Sequence, residues 1–123
     1  MTTFAGAYEI TLGTKKRISI PHIFLEAIAY NNPKVLYSVV SGHCLEFFPE
    51  DNYLKFLAEK GIAQLDVSNP ERQRFFGLVK MLTWDKQGRV VLDESQLKTA
   101  GINSPCLIEI LGNIDRISIA KAK

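Results

Sequence analysis

Two stretches of the chain share one pattern, residues 12–20 (LGTKKRISI) and residues 84–92 (WDKQGRVVL). In each stretch a short polar segment, closed by an arginine, separates two apolar runs, and the arginines lie 72 positions apart. The same offset places Leu25 on Leu97. A duplication explains the matching pattern and the matching spacing together, whereas chance similarity of amphipathic segments explains only the pattern. The sequence therefore predicts two related halves.

Apolar periodicity predicts the same order of elements in both halves. The first half is predicted to hold a strand ending at Leu12, a return strand, a short helix beginning at Pro21, and a hairpin around Gly42. The second half repeats this order with a helix that begins at an Asp93–Gln96 capping pair. The turn at residues 111–113, which the offset brings nearly onto residues 41–43, is expected to match the turn around Gly42. The fold class predicted is mostly β with short helices (α+β).

Four helices are predicted, one in each half and two in the segment that links the halves. In the first helix, Ile23 with Ala27 and Phe24 with Ile28 are expected to form the apolar face. Residues 49–61 and 69–77 form two linking helices, the second starting at a capping residue followed by Pro70. The apolar face of the first linking helix is expected to comprise Tyr53, Leu54, Phe56 and Leu57.

Composition excludes several classes of protein. A chain of 123 residues with 46% hydrophobic content can bury one core, as one domain or as two intimately packed halves. The net charge of +2 is too small to indicate nucleic acid unless the charges cluster. Cys44 and Cys106 lie in apolar runs without a CxxC pair, which favours small buried residues over a disulfide. No signal peptide or apolar run of about 20 residues is found, so a cytoplasmic protein without membrane contact is expected.

The first polar segment, called here the first tip (residues 13–17), carries three consecutive cations. Lys15, Lys16 and Arg17 have no acidic neighbour and suit the phosphate oxygens of a nucleic acid. The segment is predicted to be the turn of a β-hairpin, a two-stranded ribbon of the kind that enters the major groove of DNA. Ordinary solvated turn charges are the alternative, and the residues alone favour that alternative.

The second tip (residues 85–89) combines both signs of charge. Lys86 and Arg89 are cationic, Asp85 offsets them, and Gly88 supplies the positive φ that a tight hairpin connection requires. An arginine in such a ribbon can bind guanine bidentately. The alternative is an exposed Asp85–Arg89 ion pair worth about 0–1 kcal/mol.

Enzymatic chemistry has no support in the sequence. His22 and His43 lack partners at metal-ligand or nucleophile spacing. No glycine-rich phosphate loop, nucleophile elbow or zinc-protease helix is present. We therefore expect no enzyme, no metal, no cofactor and no small-molecule substrate.

The arrangement of two strand–tip–strand–helix–hairpin copies, joined by helices, resembles the MraZ family of bacterial transcriptional regulators over nearly the whole chain. Members of that family carry two AbrB-like halves, each marked by an Asp-x-x-x-Arg motif. Residues 85–89 (DKQGR) fit the motif fully. Residues 13–17 (GTKKR) keep the arginine and are followed by Ile20-Pro21, but Gly13 replaces the acid.

The resemblance implies a fold of two tandem AbrB/MraZ-like swapped-hairpin β-barrel halves with a pseudo-twofold repeat. Its units are expected to be residues 1–61, a first repeat with its following helix, residues 62–78, a connecting helix, and residues 79–123, a second repeat. The second repeat is expected to lack the C-terminal helix into which relatives continue.

The resemblance also implies a function, a sequence-specific DNA-binding regulator of promoter repeats at the division and cell-wall gene cluster. Its implied DNA contacts are Lys15, Lys16, Arg17, Lys86 and Arg89, with Asp85 and Gly88 orienting the second tip. The implied partners are double-stranded DNA and further copies of the chain, with a ring as one arrangement, at the nucleoid in the cytoplasm. Two alternatives stay open, an AbrB-like antitoxin and a ring-forming structural or protein-interaction module whose basic tips are incidental.

Overall fold

The computed structural model describes residues 3–31 and 34–122 as antiparallel strands and short helices. The strands are β1 (Phe4–Leu12), β2 (Arg17–Ser19), β3 (Leu36–Ser41), β4 (Cys44–Phe48), β5 (Lys80–Leu82), β6 (Arg89–Val91), β7 (Cys106–Ile114) and β8 (Arg116–Lys121). The helices are α1 (His22–Asn31), α2 (Glu50–Lys60), α3 (Pro70–Leu78) and α4 (Glu94–Thr99), with a 3₁₀ turn at Ile62–Gln64. This mixture confirms the predicted α+β class.

The strands form a six-stranded sheet, in the order β1-β7-β8-β4-β3-β5, and a separate two-stranded ribbon of β2 and β6. The hairpin predicted around Gly42 is confirmed, because β3 pairs with β4 across it. Four further ladders join the two predicted halves, β1 with β7, β5 with β3, β4 with β8 and β2 with β6. The units 1–61, 62–78 and 79–123 stay a prediction, and residues 1, 2 and 123 at their outer ends lie outside the described residues.

The hairpins predicted at the two tips are wrong in their pairing. Each tip does make a tight turn, since Lys16 N donates to Gly13 O (3.1 Å) and Gly88 N donates to Asp85 O (3.0 Å). The return strands β2 and β6 then pair with each other rather than with the strands that precede the tips. Ile18 and Val90, opposite each other in this ribbon, are fully buried in the main core. Burying both at once is what brings the distant strands together.

The registers of the ladders repeat the offset of 72 positions. Ile18 pairs with Val90, and Glu46 pairs with Ser118, so each lies opposite the residue 72 positions later. A residue that faces its own counterpart is what a local twofold axis through the ladder produces. The β1–β7 and β5–β3 ladders obey the same relation, because the pair Ile10–Ile108 corresponds to the pair Leu82–Leu36.

The second-half turn is displaced from its predicted place. The positive-φ residue equivalent to Gly42 (φ 59°) is Ile114 (φ 60°), the last residue of β7 before the turn into β8. The expected match with residues 111–113 is therefore wrong by two positions. Gly112 instead lies within β7 opposite Gly6, where a Cβ atom would stand 2.6 Å from the Ala5 nitrogen. The glycine at 112 allows two backbones to pack closely.

The helices confirm the predicted caps and shift the predicted faces. Asn69 Oδ1 accepts a hydrogen bond from Glu71 N at 2.9 Å, and Asp93 Oδ2 accepts one from Gln96 N at 3.0 Å. Two residues assigned to apolar faces are instead exposed, Ile23 at 62% and Leu54 at 59%. The faces are wrong there because local spacing leaves the helix rotation open, and packing on the sheet then selects it.

The sheet separates two apolar clusters. The main core lies between the sheet, the β2–β6 ribbon and helices α1 and α4. On the other face, α2 and α3 cover β3 and β4 with an outer cluster built of Val39, Phe48, Tyr53, Phe56 and Leu57, against which Tyr37, Phe75, Phe76 and Val79 pack. No described helix is long and apolar enough to cross a membrane.

An arginine from the second half joins the outer cluster to the first half. The Arg116 guanidinium lies 4.8 Å from the Phe48 ring centroid, and its Nη1 donates to Glu46 at 3.0 Å. Its Nε donates to Asp115 at 2.9 Å, and this hydrogen bond holds the pKa of the Asp115 carboxyl below its usual range. The nearly buried Glu46 is thereby paired across the repeat, as a buried charge requires.

Cys44 and Cys106 are both free and half-buried. Cys44 Sγ donates to Ser41 O at 3.1 Å, and burial raises the pKa of the Cys44 thiol. A raised pKa keeps the thiol protonated and poorly reactive, which fits a packing role.

Candidate functional site

The β2–β6 ribbon gathers residues from both tips on one exposed face. Arg17 lies opposite Val91, and Arg89 lies opposite Ser19. Directly opposite residues in an antiparallel ladder share a face, so these four side chains point together, away from the buried Ile18–Val90 pair. We call this surface of Arg17, Ser19, Arg89 and Val91 the ribbon face. The sequence placed the two arginines on separate hairpins, and the tertiary structure puts them on one surface.

The second tip holds Arg89 in a defined orientation. Asp85 Oδ1 accepts hydrogen bonds from the backbone N–H groups of Gln87 (2.9 Å) and Arg89 (3.0 Å), while Oδ2 accepts one from Arg89 Nε (2.9 Å). The Arg89 backbone N–H is the main cause that lowers the pKa of the Asp85 carboxyl, and the guanidinium adds to it. The carboxylate thus engages Nε and leaves the two terminal nitrogens of the guanidinium outside this bond.

Gly88 is required by the geometry of the second tip. Its φ is 74°, and a Cβ atom there would lie 2.7 Å from Leu25 Cδ1. Its carbonyl accepts a hydrogen bond from Ile20 N at 3.0 Å, which continues the β2–β6 ladder into the turn. The symmetric bond, from Leu92 N to Lys16 O, measures 2.8 Å. Each tip is therefore anchored on the return strand of the opposite half.

The first tip has the same backbone turn with different chemistry. Lys16 takes the positive-φ position of Gly88, with φ 58°, and Gly13 takes the position of Asp85. Within residues 3–31 and 34–122, no carboxylate forms an ion pair with Arg17. Arg17 therefore lacks the acid that orients Arg89.

The lysines of the tips do not all accompany the arginines. Lys15 is exposed and lines a shallow groove together with Arg17 and Arg89. Lys16 Nζ instead lies 3.5 Å from Glu94 Oε1 at the start of α4. Lys86 lines a different groove, between the second tip and α1.

Two contributors to the ribbon face were missed by the sequence reasoning. Ser19 is exposed, and 60% of the Val91 side chain is exposed although it is apolar. Val91 lines a groove with both arginines. Two signals were available, the strand alternation from Arg17 to Ser19 and the offset of 72 from Ser19 to Val91.

The chemistry of the ribbon face is that of a cationic, hydrogen-bond-donating surface. Two guanidiniums offer planar donor arrays for phosphates or for the acceptor edge of guanine. A two-stranded antiparallel ribbon has dimensions that fit a DNA groove. In the part of the chain that is described, no cluster of three or more histidine, cysteine or acidic side chains is placed to hold a metal ion.

Comparison with known proteins decides the family. A family model described as "MraZ protein, putative antitoxin-like" matches residues 3–79, more than half of the chain. The chain belongs to the MraZ family. This confirms the resemblance drawn from the repeated tips.

Full-length relatives in the MraZ family extend the match beyond residue 79. A transcriptional regulator MraZ from Mycolicibacterium smegmatis is 28% identical over 124 residues, covering 98% of this chain and 82% of the relative. One from Neisseria meningitidis is 27% identical, covering 94% of this chain and 78% of the relative. One from Clostridium acetobutylicum is 34% identical over 104 residues, covering 81% of this chain and 70% of the relative. MraZ proteins are transcriptional regulators and not enzymes, as the sequence predicted.

Proposed function

We propose that this MraZ-family chain is a sequence-specific regulator that binds double-stranded DNA through its ribbon face. The observation that carries the proposal is the placement of Arg17 and Arg89 on one exposed surface. Neither tip alone presents more than a few donors, whereas the paired strands present two guanidiniums at a spacing fixed by the ladder. Lys15 adds a further cation beside them.

The two arginines are proposed to have different roles in DNA binding. Arg89, held by Asp85 at 2.9 Å, is preorganised to bind a base edge, where bidentate geometry matters. Arg17, with no acid to hold it, is suited to phosphate oxygens, which tolerate many orientations and contribute affinity without sequence preference. Lys16, beside Glu94, and Lys86, in the groove between the second tip and α1, stay candidate phosphate contacts.

We further propose that the chain acts as a homo-oligomer on promoter repeats, at the nucleoid and at the division and cell-wall gene cluster. A specific protein–DNA interface usually buries about 1,000 Å² or more of protein surface. One ribbon face of four residues is too small for that. Several copies on repeated sites would supply the area and raise the effective concentration.

The fold itself is proposed to consist of two tandem swapped-hairpin barrel halves. Support comes from the β2–β6 ladder, in which the return strand of each half pairs with that of the other, and from the offset of 72 in the registers. In this arrangement the pseudo-twofold axis passes through the Ile18–Val90 pair, at the centre of the ribbon.

A mobility-shift titration with promoter and scrambled duplexes tests the proposal. Arg89→Ala should reduce the discrimination between the duplexes by about 1–3 kcal/mol, and Arg17→Ala should weaken both complexes alike. Arg74→Ala is the matched control, because Arg74 is exposed on α3, on the opposite side of the sheet. Equal discrimination by the wild type and Arg89→Ala, with melting temperatures unchanged, would contradict the assignment.

An antitoxin function is the second candidate, favoured by the words "antitoxin-like" in the family description. An antitoxin is dispensable once its toxin gene is removed. Deletion of this gene in a strain with and without its chromosomal neighbours distinguishes the two candidates.

A further inference from the structure

We infer that Val91 and Ser19, at opposite ends of the ribbon face, help to give bound DNA one direction, with Val91 contacting the 5-methyl group of a thymine. The inference rests on the proposed function, because it concerns the surface assigned there to DNA. It adds a specificity-determining pair that the motif of the tips does not contain.

The β2–β6 ribbon is arranged around a local twofold axis. The local twofold axis through the Ile18–Val90 pair exchanges Arg17 with Arg89 and Ser19 with Val91. If the exchanged residues were identical, the face would bind a DNA element equally well in either direction. An asymmetric element can be recognised in one direction only where the chain departs from this symmetry.

Ser19 and Val91, which the axis exchanges, differ in their chemistry. Ser19 presents a hydroxyl, which donates and accepts hydrogen bonds, whereas Val91 presents two methyl groups. The departure is exposed, since 60% of the Val91 side chain is accessible while its neighbour Val90 is fully buried. A single exposed valine is common on protein surfaces. This one differs by its position, directly opposite Arg17 and in a groove that Arg89 also lines.

The groove edge of DNA offers a matching partner for each side chain. In the major groove, thymine presents a methyl group that apolar side chains contact, and serine hydroxyls hydrogen-bond to any of several base edges. A face that carries the methyl contact at one end and the hydroxyl at the other therefore distinguishes the two ends of its element. The ladder fixes the distance from Val91 to the arginines, so the thymine falls at a fixed distance from the arginine-contacted bases.

Replacing single thymines by deoxyuridine tests the methyl contact, because this removes one methyl group and nothing else. The probe is the duplex that the wild-type chain selects from a random-sequence pool, measured by fluorescence anisotropy. At one thymine the wild type should lose about fourfold in affinity, the value of one buried methyl-sized group. Val91→Ser, which removes both methyl groups, should bind the thymine and deoxyuridine duplexes within a factor of two of each other. Ser19→Ala is the matched control and should keep the fourfold loss.

The exchange variant Ser19→Val/Val91→Ser tests the direction. Because Arg17 and Arg89 keep their places, the sensitive thymine should move relative to the arginine-contacted bases, from the side of Arg17, opposite residue 91, to the side of Arg89, opposite residue 19. Circular dichroism melts serve as a folding check, and both positions are exposed.

The possible outcomes distinguish a failure of this inference from a failure of the proposed DNA-binding function. Selection of no sequence by the wild type would overturn the DNA-binding proposal and the inference together. Selection of a sequence without a deoxyuridine-sensitive position, or with sensitivity that Val91→Ser retains, would overturn the inference alone.

Discussion

The two tips share one backbone conformation but differ in their side chains. Both make the same turn hydrogen bond, and both are anchored on the return strand of the other half. At the position of positive φ, the second tip has Gly88 and the first has Lys16, while Asp85 in the second tip is matched by Gly13. The β2–β6 ladder therefore determines where each tip lies, and the side chains of the tips can differ without moving them. Only the second tip orients its arginine.

The two equivalent helices differ in the same way. Phe24 of α1 packs edge-to-face on Phe4, with ring centroids 5.5 Å apart. Its counterpart 72 positions later, Gln96 of α4, is fully buried and polar, and its side chain bonds both Ser38 and the Leu78 carbonyl. One half therefore docks its helix through aromatic contacts and the other through hydrogen bonds.

Of the variants that test these differences between the two halves, Gln96→Ala should have the largest effect. It should lower the free energy of unfolding by about 2–4 kcal/mol. Gln96 Nε2 donates to the carbonyls of Ser38 (2.8 Å) and Leu78 (2.6 Å), and Ser38 Oγ donates to Gln96 Oε1 (2.7 Å). Removal of the amide leaves these buried groups without partners. Urea unfolding measures the loss, and Lys98→Ala on the exposed side of α4 is the control. A loss below about 0.5 kcal/mol would show that these bonds do not hold the helix.

Gly88→Ala should destabilise the fold by about 1–3 kcal/mol, whereas Lys16→Gly should stabilise it by up to about 1 kcal/mol. The signs differ because position 88 demands a glycine at φ 74°, while Lys16 already bears the strain of φ 58°. Gly13→Ala is the control, since its Cβ atom would meet nothing within 4 Å. Thermal melts of the three variants and the wild type give the order of their stabilities. If both variants destabilised the fold equally, positions 16 and 88 would not share a preference for glycine, and the two turns would not be equivalent.

Lys15→Ala should flatten the dependence of DNA affinity on salt more than Lys16→Ala does. Lys15 is exposed beside both arginines, whereas Lys16 Nζ lies 3.5 Å from Glu94. Loss of one phosphate contact changes the log–log slope by about 0.9. Titrations at 50 mM and 200 mM salt give the two slopes. If Lys16→Ala produces the larger change, the ion pair with Glu94 does not keep Lys16 from the DNA.

Gly13→Asp should make the first tip resemble the second. An aspartate fits there without a clash, and it would stand to Arg17 as Asp85 stands to Arg89. With Arg17 oriented, discrimination between promoter and scrambled duplexes should change by about 1 kcal/mol, below the full value of a new bidentate contact. Gly13→Asn, which has the shape without the charge, is the control. If both variants behave as the wild type, the acid does not set the role of the arginine.

Loss of the Asp85 charge on acidification should give the smallest effect. Because the pKa of Asp85 is lowered in the folded state, its stabilisation is present above the ordinary carboxyl pKa and disappears as pH falls through the lowered value. Asp85→Asn should therefore differ from the wild type in melting temperature at pH 7 and approach it near the acid end of the titration. A difference that stays constant with pH would mean that the charge of Asp85 is irrelevant.

The sequence by itself determined the features that depend on neighbours along the chain. The β3–β4 hairpin, the caps at Asn69 and Asp93, and the α+β class follow from signals within a few residues, and the repeat of 72 positions follows from matching one stretch of the chain with another. The two copies of the strand–tip–strand–helix–hairpin pattern also indicated the MraZ family, which the family model confirms.

Tertiary structure alone decided which strands pair and what the ribbon face contains. A three-residue strand such as β2 carries too little local information to select its partner. The selection follows from burying Ile18 and Val90 together in one core, although they are 72 positions apart. The same packing set the rotation of α1, which exposes Ile23, and it placed Arg17 and Arg89 on one surface. The hydrophobic effect depends on the area that the whole chain buries, and no local window of sequence contains it.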